Sequence, residues 1–192
     1  AIKTLERYFD NLPASITDTH SLNDLFTAAI TAANDAIQSE AMNQNLQGMG
    51  TTLAAALIGT SSALIANVGD SRTYHLRKGT LTQVTQDHSV VAEQVRQGLL
   101  PEDALSTHPR RNVLSRALGT NPEIAVDLFP ITLESDDLLL LCSDGLYPMV
   151  THQDLVSTLV QYDIAEACTV LTAMANDNGG PDNITVVIAK IP

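Results

Sequence analysis

The sequence has little cysteine, and its two thiols show no spacing typical of a disulfide framework or a Cys-based metal site. Cys142 and Cys168 both lie among apolar residues, which favours buried, reduced thiols. The chain has 192 residues, 44% of them hydrophobic, so it is long enough to bury a core without covalent cross-links. We therefore expect one cytoplasmic domain rather than a disulfide-rich secreted scaffold.

Long apolar runs and basic residues are also scarce. No run approaches the roughly 20 residues that a membrane-spanning helix needs, and the first residues lack the basic start and apolar middle of a signal peptide. Ten Lys and Arg residues stand against 22 Asp and Glu, which gives a net charge of -12. This balance argues against binding to a nucleic-acid backbone and is compatible with metal cations. We expect a soluble monomer that binds neither nucleic acid nor membrane.

Apolar residues at helical spacing indicate four helices. The predicted ranges are 1–12, 21–44, 151–160 and 164–177. Pro13 ends the first helix, and Ser21 with Asp24 resembles a capping box at the start of the second. Thr151 is a candidate N-cap of the third helix, because Asp154 stands three residues on. Between these pairs, the segment at about 89–113 is polar and helix-forming, and we interpret it as an excursion from the sheets.

Short runs rich in Thr, Val, Ile, Leu and Tyr indicate strands. The predicted ranges are 51–59, 62–69, 71–79, 80–85, 123–133, 137–143 and 183–191. Their short connections favour antiparallel pairing over helical crossovers. Strand-dense blocks separated by amphipathic helices predict an α+β fold, a four-layer αββα sandwich of two antiparallel sheets flanked by helices. The first two helices are expected on one outer side and the last two on the other.

Three aspartates share one arrangement, in which an apolar strand meets a Gly-containing turn. They are Asp70 in "ANVGDSR", Asp144 in "LLLLCSDGL" and Asp182 in "GGPDNITVVI". An antiparallel sheet can gather such borders along one rim, where like charges repel unless cations lie between them. Ligand sets made only of oxygen suit Mg²⁺ or Mn²⁺. Three independent turns are the alternative, because all three local sequences are common in turns.

Six motifs occur in the order found in metal-dependent Ser/Thr protein phosphatases of the PPM, or type 2C, family, and the chain resembles a bacterial member over essentially its whole length. The motifs are "GMGTT" (48–52), "ANVGDSR" (66–72), "TQDHS" (85–89), "LSRALG" (114–119), "LLLLCSDGL" (138–146) and "GGPDNITVVI" (179–188). The resemblance implies hydrolysis of phosphomonoesters on phosphorylated Ser/Thr proteins. It also implies two or three Mn²⁺ or Mg²⁺ ions and a metal-bridging water as the nucleophile.

Residue by residue, the resemblance implies roles for the three aspartates. Asp144 and Asp182 correspond to ligands of the catalytic metal pair, and Asp70 corresponds to a ligand of a third metal. The segment at about 89–113 matches the flap of the family, in which His108, Arg110 and Arg111 are candidates for substrate binding. Solvated loop residues are the alternative interpretation of these three side chains.

The remaining histidines are predicted to have structural roles. His88, within "TQDHS", is expected to be a structural turn residue rather than a ligand. His20, His75 and His152 have no partner at a spacing typical of a metal site, so we expect surface or packing roles for them.

Part of the family pattern has no match in residues 1–192. The Arg that holds substrate phosphate and the Asp that bridges the two metals are expected upstream of Ala1, so the catalytic residues are unknown from this sequence. Either the chain is N-terminally incomplete, which we favour because the three aspartates are retained, or it is a natural relative without the first metal-binding strands. The alternative function is a catalytically inactive, phosphatase-like interaction module.

Overall fold

In this computed structural model, which describes residues 1–10 and 19–192 and the side chains of 1–10 and 21–192, seven strands form two antiparallel sheets. The strands are β1 (Leu53–Ile58), β2 (Ser62–Val68), β3 (Arg72–Arg77), β4 (Thr80–Gln83), β5 (Asp127–Thr132), β6 (Leu138–Cys142) and β7 (Val186–Lys190). The first sheet has the order β1-β2-β5, and the second sheet has the order β4-β3-β6-β7. Every pair of neighbours is antiparallel, as predicted. Short connections join β1 to β2 and β3 to β4, whereas the other three pairs join segments far apart in the chain.

Six helices accompany these strands in the same described residues. They are α1 (Ile2–Asp10), α2 (Thr19–Asn43), α3 (Val90–Arg96), α4 (Ala104–Thr107), α5 (His152–Gln161) and α6 (Ile164–Asp177). None of them is long and apolar enough to cross a membrane.

The helix starts agree with the sequence at α5 but not at α2. Thr151 caps α5, because its hydroxyl oxygen accepts the Asp154 N–H at 3.1 Å. The sequence predicted the helix start at Ser21, whereas α2 begins two residues earlier, at Thr19. Among the described side chains, the apolar stripe that packs on the sheet begins at Leu22, the fourth residue of the helix. Residues 11–12 of the first predicted helix and Pro13 lie outside the described residues.

The four predicted layers are present. Phe26 and Ile30 of α2 are buried against Leu64 and Val68 on the outer face of the first sheet. On the far side, α5 and α6 pack against the second sheet. That layer buries Leu76, Leu138, Leu140, Leu155, Leu159 and Leu171. The predicted αββα sandwich is therefore confirmed.

The leucine run of β6 is continuous because both faces of this strand are buried. Leu138 and Leu140 face the α5–α6 layer, whereas Leu139 and Leu141 face the first sheet. Side chains alternate between the two faces of a strand, so a strand between two apolar layers needs apolar residues at every position. Full burial of each such side chain contributes about 1.5–3 kcal/mol, which secures β6 in the centre of the fold.

Candidate metal centre

The turn that carries Asp70 joins β2 to β3 and so connects the two sheets. Gly69 has φ +105°, and a Cβ at this position would lie 2.4 Å from a methyl carbon of Thr52. His88 holds the same glycine, because its ring Nδ1 accepts the Gly69 N–H at 3.1 Å and its own N–H donates to the Gly69 carbonyl at 2.9 Å. The Thr52 and Ser71 hydroxyl oxygens lie 2.8 Å apart. These contacts fix the backbone on both sides of Asp70.

Asp144 and Asp182 come together because the turn after β6 packs on the loop before β7. The Ser143 hydroxyl donates to the Asn183 carbonyl at 3.1 Å. A Cβ on Gly145 would lie 2.4 Å from the same carbonyl oxygen, so this close approach requires glycine. The contact brings the two carboxylates to neighbouring positions.

Strand register brings the three aspartates to the same end of the sandwich. Arg72, Cys142 and Val186 form one row across β3, β6 and β7, and the aspartates lie in the turns just beyond this row. All three line one cavity of about 520 Å³. The other residues of its wall are Arg72, Asp87, Ser89, Leu105, Ser106, Arg111, Asn112, Tyr147, Pro148, Met149 and Pro181.

The carboxylates in this cavity destabilise one another's charged forms. Asp70 is 9% exposed, and burial together with the nearby Asp144 carboxylate raises its pKa to about 6. Burial and the Asp182 carboxylate also raise the pKa of Asp144. A bound cation would relieve this repulsion, and oxygen donors suit a hard divalent ion. The described residues contain no group of three or more His, Cys, Asp or Glu side chains that could by themselves hold a metal ion.

Arg72 is part of the cavity wall, and its guanidinium group makes polar and aromatic contacts there. Its Nε and Nη2 donate to the two carboxylate oxygens of Asp87 at 2.9 and 2.7 Å, and its Nη1 donates to the Tyr74 hydroxyl at 3.0 Å. The guanidinium carbon lies 3.6 Å from the centre of the Tyr147 ring. No role was predicted for Arg72 or Asp87 from the sequence. Their membership of "ANVGDSR" and "TQDHS" was the available signal.

The segment at 89–113 leaves the sheets and returns to its starting point. The Val90 N–H donates to the Val113 carbonyl at 2.8 Å, and the Ser115 N–H donates to the His88 carbonyl at 2.9 Å. Ser89 caps α3 by accepting the Ala92 N–H at 3.2 Å. The segment is thus an excursion closed at its base, and residues near its two ends and in α4 form one side of the cavity.

The three substrate-binding candidates occupy different positions within this segment. Arg111 lines the cavity, whereas His108 and Arg110 are not part of the cavity wall. The ring Nδ1 of His108 accepts the Arg110 N–H at 3.1 Å, which is a local turn contact. The geometry therefore favours Arg111 over the other two as a substrate contact.

His88 has both ring nitrogens engaged by the protein. Besides the bond from Gly69, its Nε2 lies 3.1 Å from the Asp127 carboxylate, which also accepts a 2.7 Å bond from Arg116. Burial lowers the pKa of His88, so a neutral ring that donates through Nε2 fits both contacts. His88 thus links the Asp70 turn to the first sheet and has no nitrogen left for a metal.

The other histidines lie away from the aspartate cavity. The Nε2 atom of His75 lies 2.9 Å from the Asp137 carboxylate, and that of His152 lies 3.1 Å from the Leu81 carbonyl oxygen. These contacts agree with the packing roles predicted for both residues. The His20 side chain lies outside the described residues.

Comparison with known proteins shows which family this chain resembles. Residues 1–181 match the family model described as protein phosphatase 2C. The serine/threonine phosphatase stp of Listeria welshimeri is 45% identical over 147 residues, which cover 76% of this chain and 58% of the relative. The chain therefore spans little more than half the length of that relative.

Solved structures agree over nearly the whole chain. Serine/threonine phosphatase Stp1 from Staphylococcus aureus has a TM-score of 0.90 and 33% identity, covering 99% of this chain and 75% of that one. The catalytic domain of serine/threonine protein phosphatase PstP, in complex with two manganese ions, has a TM-score of 0.84 and 36% identity. That match covers 98% of this chain and 77% of the other. The chain belongs to the protein phosphatase 2C family.

Proposed function

We propose that the protein carrying this chain is a metal-dependent Ser/Thr protein phosphatase that hydrolyses phosphomonoesters on phosphorylated proteins. The observation that carries the proposal is the convergence of Asp70, Asp144 and Asp182 on one cavity in a chain of this family. The free thiols Cys142 and Cys168 support a cytoplasmic location, and the family supports a phosphoprotein substrate. Action as a monomer stays a prediction.

The proposed cofactor is Mn²⁺ or Mg²⁺. Asp144 and Asp182 would hold the metal pair and Asp70 a third ion, as the family resemblance implies. The two manganese ions of the related PstP structure support the choice of metal. When bound, divalent ions of this kind supply an activated water and neutralise phosphoryl oxygens. The raised pKa values of Asp70 and Asp144 support a site whose negative charges a cation balances.

The side chains of the wall would orient the substrate. Arg111 brings a positive charge to the wall of the aspartate cavity, where it would attract a phosphate group. Leu105, Pro148 and Met149 add apolar surface, which lowers the local dielectric and strengthens the electrostatic interactions inside the cavity. On this basis, the segment at about 89–113 acts as a flap that contributes to substrate binding.

The test is hydrolysis of p-nitrophenyl phosphate and of a phosphothreonine peptide by the full-length protein, with Mn²⁺ and then with a chelator. Asp144→Asn and Asp182→Asn are each expected to lower kcat by roughly 100-fold or more, because each removes a charge from a site that stabilises the transition state. Asp70→Asn is expected to lower turnover less. A matched control is Asp136→Asn, since Asp136 is an exposed aspartate paired with Lys190 outside the cavity.

Two outcomes separate this proposal from the inactive interaction module. Hydrolysis that survives the chelator would contradict metal dependence. A full-length protein that binds no Mn²⁺ by calorimetry and hydrolyses neither compound would favour the module.

A further inference from the structure

Arg72 lies on the wall of the aspartate cavity, yet all three of its guanidinium nitrogens are already engaged. Two of them donate to Asp87 and the third to Tyr74, while the ring of Tyr147 covers the guanidinium plane. The Arg72 side chain is 21% exposed, and that of Asp87 is 12% exposed. Moving the arginine away towards a ligand would leave a nearly buried carboxylate without its ion-pair partner and with the neutral Gln83 amide donating to it at 3.2 Å, which is unfavourable.

The partners of Arg72 belong to the segments that build the cavity. Tyr147 lies three residues after Asp144 in the turn that follows β6. Asp87 lies just before the 89–113 segment, and its carbonyl accepts a 2.9 Å bond from Arg96 of α3. Arg72 itself begins β3, two residues after Asp70. One guanidinium therefore ties together the Asp70 turn, the Asp144 turn and the base of the flap.

Resting on the proposed function, we propose that Arg72 is a positioning residue that holds the Asp70 and Asp144 turns against the same cavity, and that it does not bind substrate phosphate. Its effect on the metal site is indirect, through Tyr147 and Asp87. Residues that orient metal ligands in this way typically change metal affinity when they are replaced.

Arg72→Lys tests the contact while keeping the charge, because an ammonium group cannot reproduce the planar fork and the stacking on Tyr147. Arg77→Lys is the matched control. Arg77 lies at the other end of the same strand and also pairs through two nitrogens with a buried aspartate, Asp137, at 3.0 and 2.6 Å. It is not part of the aspartate cavity.

The first measurement needs neither metal nor activity. Hydrogen exchange followed by mass spectrometry is expected to show faster exchange at 143–149 and 85–97 in the metal-free Arg72→Lys protein. The Arg77→Lys protein should match the wild type in both segments. Wild-type exchange in Arg72→Lys would overturn the inference, even if the protein proved to have no phosphatase activity.

The second measurement separates positioning from phosphate binding. Arg72→Lys is expected to raise the Mn²⁺ concentration for half-maximal hydrolysis of p-nitrophenyl phosphate by roughly 10-fold or more, with KM unchanged at saturating Mn²⁺. A higher KM and weaker inhibition by inorganic phosphate, with the Mn²⁺ midpoint unchanged, would make Arg72 a substrate contact. A lower kcat with both constants unchanged would indicate general destabilisation. Either result overturns the inference.

Tyr147→Leu provides a second variant if Arg72→Lys does not fold. This change removes the stacked ring but leaves the Arg72–Asp87 ion pair intact. We expect faster exchange at 143–149 and the same rise in the Mn²⁺ midpoint. Wild-type values for both quantities would contradict the proposal.

Discussion

Asp70 carries a charge that the fold disfavours when no cation is bound. Its pKa rises from 3.8 to about 6, first through burial and then through the Asp144 carboxylate. The folded state therefore binds a proton more tightly than the unfolded chain. The stability contributed by this proton is complete below about pH 3.8 and is lost as the pH rises through about 6.

Asp70→Asn should consequently stabilise the metal-free protein at pH 8, because the variant has no charge to bury. At pH 4 the difference from the wild type should be small. Urea denaturation in the presence of a chelator measures both values. Added Mn²⁺ should reverse the order at pH 8, since the wild type gains a ligand that the variant lacks. Lower stability of the variant at both pH values, without metal, would contradict this account.

Gly145 is the second residue whose chemistry decides the geometry of the site. Gly145→Ala would place a methyl carbon 2.4 Å from the Asn183 carbonyl oxygen, so the Asp144 turn must move away from the Asp182 loop. We expect a loss of about 1–3 kcal/mol in the free energy of unfolding and a clear loss of Mn²⁺-dependent hydrolysis.

Gly59→Ala is the control for this change, because its new methyl carbon would meet its nearest heavy atom at 3.3 Å. Gly59 also lies outside the cavity wall. We expect nearly normal activity and a smaller change in the free energy of unfolding. Equal effects of the two substitutions on hydrolysis would show that separation of the two turns is not the cause.

The three aspartates could be predicted from the sequence, but the residues that support them could not. A strand that ends in a Gly-containing turn is a local pattern, so Asp70, Asp144 and Asp182 could be selected without a structure. The contacts of Arg72 with Asp87 and Tyr147 depend on strand register and on side-chain rotamers. Neither can be predicted from a local sequence pattern, so these contacts of Arg72 could be identified only in the structure.

At the scale of elements, the apolar runs predicted where the strands lie but not the residues at which they begin and end. The strand predicted at 123–133 begins only at Asp127 in the sheet. Ile124 and Val126 nevertheless pack with the residues that cover the first sheet. Their packing explains why the apolar pattern in the sequence starts before the hydrogen-bonded strand, because side-chain packing and strand pairing need not start at the same residue.

Arg110 and Arg111 are neighbours in the 89–113 segment, but we expect them to differ in their effect on substrate binding. Arg111 lines the aspartate cavity and Arg110 does not. Arg111→Ala should raise KM for a phosphothreonine peptide by roughly 10-fold, about the value of one charge-assisted hydrogen bond. Arg110→Ala should change KM much less. Steady-state kinetics at saturating Mn²⁺ measure both, and a larger effect at Arg110 would refute this view of the flap.

At the scale of the whole molecule, cation binding should be visible as stability. A ligand present at 100 times its Kd adds about 2.7 kcal/mol to the free energy of unfolding. Mn²⁺ should therefore raise the Tm of the full-length protein, and Asp144→Asn should remove most of the increase. Because the net charge of this chain is -12, any added salt screens its self-repulsion, so a potassium salt of equal ionic strength is the control. Equal Tm increases with Mn²⁺ and K⁺ would argue against a specific site.

The layer order could be predicted from the sequence, but the strand order could not. Helices at both ends of the chain and strands between them indicate two covered sheets. The pairing of β2 with β5 joins segments separated by β3, β4 and the whole flap. Such long-range pairing depends on the complete core, and no local pattern specifies it.

The turn of Gly69 to Ser71 joins β2 of one sheet to β3 of the other, whereas Asp144 and Asp182 both belong to the second sheet. Its hydrogen bonds to His88 continue to Asp127 at the start of β5, so the turn is anchored to the first sheet as well. If one sheet slides over the other, Asp70 moves relative to its two partners. Metal ions bound across this cavity would link the Asp70 turn to the Asp144 and Asp182 turns and oppose this shear, so the metal-loaded protein should resist mechanical separation of its two sheets at higher force than the metal-free protein.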